Sequence, residues 1–287
     1  MRSERRGISR LCGDGLNMFI QFLPGRARLE VEVLGEGDPL VVIQTALYAD
    51  ELRPLAAMLA AGGAHRVVHY HRRGYAESEP LTQPSTIEHE VADLRALLEA
   101  LHLGPVDLLG VSYSAAIALT AASSSPDLVR TLTVLEPPPI DVPSAPEFVA
   151  ANERLIASRR VNGPLVALDE FMTLVVGADW RVDVERGDPG ATAAMERDVP
   201  TFFDSDLPAL LRWEFGVKEA ALIHCPVLHI GGSDSGRWFA EVRRRLHRLL
   251  PRMEDAVIAG AGHSLATTHT YEVARIVLDF LSQHRDR

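Results

Sequence analysis

The stretch VDLLGVSYSAAIALTAA, residues 106–122, decides the fold of this 287-residue chain. Its first six residues suit a buried strand, and its last eight are the small and apolar side chains of a closely packed helix. Gly110 and Ser114 lie two positions either side of Ser112, so the strand and the helix can pass within contact distance. The pattern predicts a nucleophile elbow, a sharp and strained turn with Ser112 at its tip.

Strand-like and helix-like segments alternate on both sides of this turn. Strands are predicted at 28–34, 40–43, 66–70, 128–135, 227–230 and 256–258, and helices at 52–61, 85–101, 239–250 and 271–284. Such alternation is typical of an α/β fold with a mostly parallel, doubly wound sheet.

The alternation is interrupted after Glu136. Three consecutive prolines begin a helical and irregular stretch that has no convincing strand before residue 220. We therefore predict a helical lid insertion over residues 137–220, between two parts of a core at 26–136 and 221–287. The lid is expected over the carboxyl edge of the sheet, where open α/β sheets bind ligands. Because the first residues are basic and broken by glycines, residues 1–25 are predicted to form a disordered arm.

Composition excludes several classes of protein. A net charge of −10 argues against nucleic-acid binding, which needs a basic surface. No apolar run is long enough to span a membrane, and the N-terminus lacks the apolar core of a secretory signal. The two cysteines and the spacing of the histidines predict neither a disulfide framework nor a metal site. We expect a cytoplasmic protein without a membrane partner, and its oligomeric state stays open.

A serine nucleophile needs a base to accept its proton and a carboxylate to orient that base. Asp234 follows the strand at 227–230, and His263 follows the strand at 256–258. The order Ser112, Asp234, His263 is the order known from α/β-hydrolases. Glu136 also ends a strand, directly before the prolines, and is the alternative acid.

Three further segments strengthen a family resemblance. HRRGYAES at 71–78 is similar to a D-x-R-G-x-G-x-S loop, and PVLHIGGSD at 226–234 and GAGH at 260–263 carry the acid and the base. Together with the elbow they resemble the α/β-hydrolase superfamily, specifically lidded members akin to small esterases, lactonases and C–C bond hydrolases. The resemblance extends from about Arg28 to the C-terminus.

The resemblance implies an oxyanion hole made by the backbone N–H groups of Ala46 and Tyr113. The first of these lies in a loop that reads Gln44-Thr45-Ala46, where the family usually has His-Gly. His71 replaces a usual aspartate, and we expect it to add a titrating group near the entrance. The predicted substrate pocket contains Gln44 and three lid aromatics, namely Trp180, Trp213 and Phe215.

The resemblance therefore implies a serine hydrolase that uses no cofactor or metal and whose partner is a small-molecule substrate. A small or medium apolar ester, a lactone or a β-diketone-type C–C substrate is expected. The same fold supports lyases, acyltransferases, cyclases, cofactor-independent oxygenases and ligand-binding receptors. These stay open as alternatives.

Overall fold

Nine β-strands form a single sheet in a computed structural model that describes residues 8–10, 18–22, 27–139 and 141–285. The strands are β1 (Ile8–Arg10), β2 (Met18–Phe22), β3 (Arg28–Leu34), β4 (Asp38–Ile43), β5 (His65–Tyr70), β6 (Val106–Val111), β7 (Val129–Leu135), β8 (Val227–Gly232) and β9 (Glu254–Ile258). Their order is β1-β2-β3-β5-β4-β6-β7-β8-β9. The pairs β1/β2, β2/β3 and β3/β5 are antiparallel, and the remaining pairs are parallel. This sheet confirms the predicted α/β class.

Helices cover both faces of the sheet. They are α1 (Arg53–Ala61), α2 (Ile87–Ala100), α3 (Tyr113–Ser124), α4 (Ala145–Val161), α5 (Pro164–Val175), α6 (Trp180–Gly187), α7 (Ala191–Thr201), α8 (Leu207–Arg212), α9 (Val217–Ala220), α10 (Gly236–Leu249), α11 (Leu265–Thr268) and α12 (Thr270–Gln283). Alternate residues of a strand point to opposite faces. Leu40 and Val42 of β4 accordingly pack with α1 and α12, whereas Val41 and Ile43 pack with α2 and α3.

Helices replace strands between β7 and β8. Among the described residues from 141 to 220, helices α4 to α9 follow one another without a β-strand. A π-helical turn, Phe202–Asp206, joins α7 to α8. We call residues 141–220 the lid, after the predicted insertion at 137–220; that they cover a substrate site stays a prediction. Its inner side packs on the core of the protein, since Leu155, Leu168 and Phe203 belong to the same buried cluster as α2 and α3.

The N-terminal segment differs from the sequence expectation. The strands β1 and β2 lie within residues 1–25, where a disordered arm was predicted. Met18 of β2 is opposite Glu32 of β3, so β2 extends the antiparallel edge of the sheet, and β1 pairs with β2 in turn. Pairing at a sheet edge depends on the free backbone groups of the strand already there, which local composition does not reveal. Residues 1–7, 11–17 and 23–25 lie outside the described residues.

Within the described ranges, no helix combines the length and apolar character needed to cross a membrane.

Candidate active site

Ser112 lies at the predicted sharp turn between β6 and α3. Its backbone has φ 49° and ψ −113°, a conformation that is rare for a residue other than glycine. A Cβ atom on Gly110 would lie 2.3 Å from the carbonyl oxygen of Ser114, so only glycine fits beside the turn. The strand and helix therefore approach as closely as the sequence pattern requires. Such stored strain is typical of functional sites.

Ser114 stands where the usual elbow has its second glycine. Its side chain is fully buried. The hydroxyl accepts a hydrogen bond from the N–H of Val111 at 2.9 Å and donates one to the carbonyl of Val111 at 3.1 Å. The serine thus ties the first turn of α3 to the end of β6, and the replacement of glycine leaves the tight turn intact.

His263 lies between Ser112 and Glu136. Its Nε2 atom is 3.0 Å from the hydroxyl oxygen of Ser112, and its Nδ1 atom is 2.7 Å from a carboxylate oxygen of Glu136. A carboxylate accepts only, so Nδ1 carries the hydrogen and Nε2 is left as an acceptor for the serine proton. These are the contacts that a nucleophile, a base and an orienting acid require.

Glu136 is fixed in its place behind the histidine. It follows β7 directly, has φ 44° and is 1% exposed. Its second carboxylate oxygen accepts a hydrogen bond from the N–H of Gly232 at 2.8 Å. Both oxygens of the side chain are therefore held, one by the backbone and one by His263.

Asp234 does not make the predicted contact with His263. Its side chain is exposed and accepts a hydrogen bond from the hydroxyl of its neighbour Ser233 at 2.7 Å. Its own N–H bonds to the carbonyl of Ala261 at 2.9 Å, which fixes the loop with the carboxylate on the solvent side. The alternative acid, Glu136, which directly follows β7, contacts the histidine instead. The expected Asp234–His263 pair is thus replaced by Glu136–His263.

The loop after β4, residues 44–48, is called the oxyanion loop after the role predicted for Ala46. Thr45 donates a hydrogen bond from its hydroxyl to the carbonyl of Val111 at 2.9 Å, so the loop is anchored to the strand that leads to Ser112. Leu47 has φ 69°, and its N–H donates to the hydroxyl of Tyr75 at 3.1 Å. Ala46 therefore lies between two anchored residues. The oxyanion role of Ala46 and Tyr113 stays a prediction.

The residues predicted to line a pocket make packing contacts. Gln44 is fully buried and accepts a hydrogen bond from the N–H of Arg72 at 2.6 Å. Trp180 is buried within the lid and donates to Asp169 at 3.0 Å. Trp213 donates to Thr120 on α3 at 3.0 Å and stacks with Phe215, with ring centroids 5.9 Å apart. These contacts hold the lid and the loops in place, and a pocket role stays a prediction.

His71 is a buried cation rather than a titrating group at the entrance. Its ring nitrogens lie 2.9 Å from Glu30 and 3.2 Å from Asp50, and the residue is 3% exposed. Burial alone would lower the pKa of His71, but the hydrogen bonds and charges of Asp50 and Glu30 raise it to about 9. The imidazole therefore stays protonated across neutral pH, contrary to the expectation that it titrates there.

Sequence reasoning missed Phe239, whose aromatic ring stacks on the imidazole of His263. It also missed Arg72, a fully buried guanidinium that lies 4.5 Å from the ring centre of Tyr113. Arg72 belongs to the HRRGYAES loop, but the family pattern leaves its position unspecified. Phe239 lies on the helix after Asp234 and belongs to no motif. In the part of the chain that the structure describes, no group of three His, Cys, Asp or Glu side chains is arranged to hold a metal ion.

This fold and this arrangement of serine, histidine and carboxylate define an α/β-hydrolase. Residues 45–276 match the sequence model of the alpha/beta hydrolase family. The chain therefore belongs to the alpha/beta hydrolase family.

One curated relative is the polyketide synthase ThaQ of Burkholderia thailandensis. It is 29% identical over 278 residues, which make up 94% of this chain but 13% of that protein. The chain therefore spans only a small part of the relative that it matches.

Two solved structures have a similar fold. A thermophilic esterase from Thermogutta terrifontis has a TM-score of 0.77 at 20% identity, over 91% of this chain and 95% of the esterase. The enol-lactonase from Burkholderia xenovorans LB400 has a TM-score of 0.74 at 21% identity, over 92% of this chain and 99% of the lactonase. The family supports a hydrolase-type enzyme, and these neighbours show the fold.

Proposed function

We propose that this protein is a serine hydrolase that forms an acyl-enzyme on Ser112. The observation that carries the proposal is the continuous line of contacts from the Ser112 hydroxyl through His263 to Glu136, with separations of 3.0 Å and 2.7 Å. The first half of this line supports removal of the serine proton. The second half supports an imidazole that is held in the correct tautomer.

In the proposed reaction, Nε2 of His263 takes the proton of Ser112 while the serine oxygen attacks a carbonyl carbon. The N–H groups of Ala46 and Tyr113 stabilise the negative oxygen that forms. Glu136 stays ionised and stabilises the imidazolium. His263 then gives the proton to the leaving group, and a water molecule deprotonated by His263 releases the acyl group and restores Ser112.

A carboxylic ester or lactone is the substrate class that this chemistry supports best. The names of the structural neighbours, an esterase and an enol-lactonase, agree with it. A β-keto acyl chain is a second candidate acyl group, favoured by the match of 94% of this chain to part of a polyketide synthase. An ester or lactone and a β-keto acyl substrate both present an electrophilic carbonyl to Ser112. The two substrate classes differ in the leaving group and in the polarity of the acyl chain.

The proposal is tested by comparing wild type with Ser112→Ala. The substrates are p-nitrophenyl acetate and octanoate, an aliphatic lactone and the N-acetylcysteamine thioester of a β-keto acid. Ser112→Ala is expected to lose turnover by a factor on the order of 10⁶. Ser282→Ala, on the exposed side of α12, serves as the matched control and should behave as wild type.

Labelling with a fluorophosphonate followed by peptide mass analysis locates the nucleophile. An adduct on Ser112 that is absent from Ser112→Ala supports the proposal. An adduct on another serine would contradict it. The ratio of kcat/KM for the thioester to that for the esters decides between the two candidate acyl groups.

A further inference from the structure

A carboxylate of the lid reaches the buried guanidinium beneath the active site. Arg72 and Asp206 form a two-point ion pair, with nitrogen–oxygen distances of 3.1 Å and 2.6 Å. Both side chains are about 1% exposed. Asp206 is the last residue of the π-helical turn in the lid. This pair therefore joins the lid to the loop that follows β5.

The Arg72–Asp206 pair holds the backbone on both sides of Ala46, through Arg72 at Thr45 and through Tyr75 at Leu47. Arg72 donates from Nη2 to the carbonyl of Thr45 at 3.2 Å. On the other side, the hydroxyl of Tyr75 accepts from the N–H of Leu47 and donates to Asp206 at 2.6 Å. The two groups that fix the backbone before and after Ala46 thus share one carboxylate.

The other oxyanion residue also contacts this network. The guanidinium carbon of Arg72 lies 4.5 Å from the ring centre of Tyr113, within the range of a cation–π contact. Tyr113 is the residue directly after Ser112. A shift of Arg72 would therefore move the surroundings of both N–H groups that are proposed to hold the oxyanion.

Asp206 is the carboxylate on which this arrangement depends. Glu90 also contacts Arg72, at 3.2 Å, but burial raises the pKa of Glu90 despite the nearby guanidinium. Burial alone would lower the pKa of Arg72, but Asp206, followed by Glu90, holds it well above its usual value. Asp206 accepts two hydrogen bonds from Arg72 and one from Tyr75, so both of its oxygens are used.

We infer that Asp206 is a positioning residue of the active site, which sets the geometry of the oxyanion loop through Arg72 and Tyr75. The inference rests on the proposed function, since it concerns how the oxyanion is held. The contact between the lid and the core at Asp206 thereby affects how the oxyanion is stabilised. Placement of the lid segment over Arg72 completes the network on which the backbone around Ala46 depends.

The test compares Asp206→Asn with Asp204→Asn. Asp204 lies in the same π-helical turn, is exposed and pairs with Arg159 at the surface, so it is a matched control. Loss of a complete oxyanion donor typically lowers kcat by about 10²–10³-fold. Displacement of the loop by Asp206→Asn should lower kcat for a p-nitrophenyl ester by about 10- to 100-fold and change KM less than about 3-fold. Asp204→Asn should stay within about 2-fold of wild type.

A second readout separates positioning from simple stability. A trifluoromethyl ketone forms a hemiketal with the active-site serine, and its oxyanion occupies the hole. Asp206→Asn should weaken its inhibition constant in proportion to the loss of kcat/KM, measured well below the unfolding temperature of the variant. An unfolding temperature that falls while kcat and the inhibition constant stay at wild-type values would overturn the inference.

Tyr75→Phe keeps the inference testable if Asp206→Asn does not fold. It removes the acceptor for Leu47 and one donor to Asp206 while it retains the ring. A fall of kcat by about 3- to 10-fold supports the inference, and an unchanged kcat overturns it.

If wild type itself shows neither turnover nor an adduct on Ser112, the proposed function fails and the inference with it. An active wild type together with an unchanged Asp206→Asn overturns the inference alone.

Discussion

The aromatic ring of Phe239 lies flat against the imidazole of His263, with ring centroids 4.1 Å apart and 14° between the ring planes. Phe239 lies in the first turns of α10, and its neighbour Trp238 packs edge-on against Phe148 of the lid at 5.4 Å. Adjacent residues of one helix therefore contact the proposed base and the lid. The stack restrains the plane of the imidazole between Ser112 and Glu136.

Replacement of Phe239 by leucine is expected to lower kcat/KM by about 3- to 30-fold. The imidazolium that forms during attack gains from the face of an aromatic ring, an interaction of about 0.5–2 kcal/mol. Phe239→Tyr, which keeps the ring, should retain activity within about 2-fold. The measurement is ester hydrolysis together with the NMR chemical shifts of the His263 ring protons, which the stacked ring moves upfield.

Trp238→Leu is the control for this stack. It alters the same helix but leaves the ring of Phe239 in place, so the His263 ring protons should keep their shifts. If the shifts are the same in Phe239→Leu and wild type, the two rings do not stack in solution.

Glu136→Gln should reduce kcat by about 10⁴-fold, the typical loss when the orienting carboxylate is replaced by an amide. The amide can present its NH₂ group to Nδ1 and favour the wrong tautomer of His263. Asp234→Asn removes an exposed carboxylate whose hydrogen-bond partner is the hydroxyl of Ser233. This substitution should change kcat less than about 3-fold. Steady-state hydrolysis of a p-nitrophenyl ester by both variants gives the comparison. A larger loss in Asp234→Asn would return the role of the acid to Asp234.

The sharp turn at Ser112, the end of the strand before His263 and the sheet could be predicted because each depends on a local pattern. The tight turn at Ser112 requires Gly110, which stands only two residues before it in the sequence. The choice between Asp234 and Glu136 could not be made locally, because both follow strands that end at the same edge of the sheet. It depends on the backbone bond between Asp234 and Ala261, which points one carboxylate to solvent.

Contacts between distant segments account for the other differences. His71 is a buried cation because Glu30 comes from β3 and Asp50 from the turn before α1, and no local pattern joins these three residues. The Arg72–Asp206 pair likewise spans 134 positions in the sequence. Ion pairs between such distant positions leave no signal in a local stretch of sequence.

The protein should lose stability as the pH rises from about 6.5 to 9. In the unfolded chain the pKa of a histidine is ~6.5, whereas Glu30 and Asp50 raise that of His71 to about 9 in the folded protein. The contribution is therefore fully present below about pH 6.5 and is lost as the pH rises through 9. The difference corresponds to roughly 3 kcal/mol of unfolding free energy. Urea unfolding of wild type and His71→Gln across this range measures it.

The gap in unfolding free energy between wild type and His71→Gln should narrow towards pH 9. His89→Gln replaces an exposed histidine on α2 in the same way and should follow the wild-type curve at every pH. A constant gap between wild type and His71→Gln from pH 6 to 10 would mean that His71 is not held as a cation.

Gly110→Ala tests the close approach that shapes the elbow. The added Cβ would lie 2.3 Å from the carbonyl oxygen of Ser114 and 2.8 Å from the N of Ala115, and backbone atoms cannot move aside as a flexible side chain can. Overpacking typically costs about 1–3 kcal/mol and occasionally more, and we expect at least ~3 kcal/mol here. Since a displacement of about 1 Å can cost about 10²-fold in rate, the folded variant should also lose most of its activity.

Gly104→Ala is the matched control, because a Cβ there meets no atom within 4 Å and its φ lies outside the left-handed region. Its effect on unfolding should stay within about 1 kcal/mol, with a gain possible from the lower entropy of the unfolded chain. Urea unfolding and ester hydrolysis of both variants at one temperature provide the comparison. Equal stabilities of Gly110→Ala and Gly104→Ala, with activity retained in both, would show that β6 and α3 are farther apart than the 2.3 Å contact implies. The strained conformation of Ser112 would then not depend on glycine at position 110.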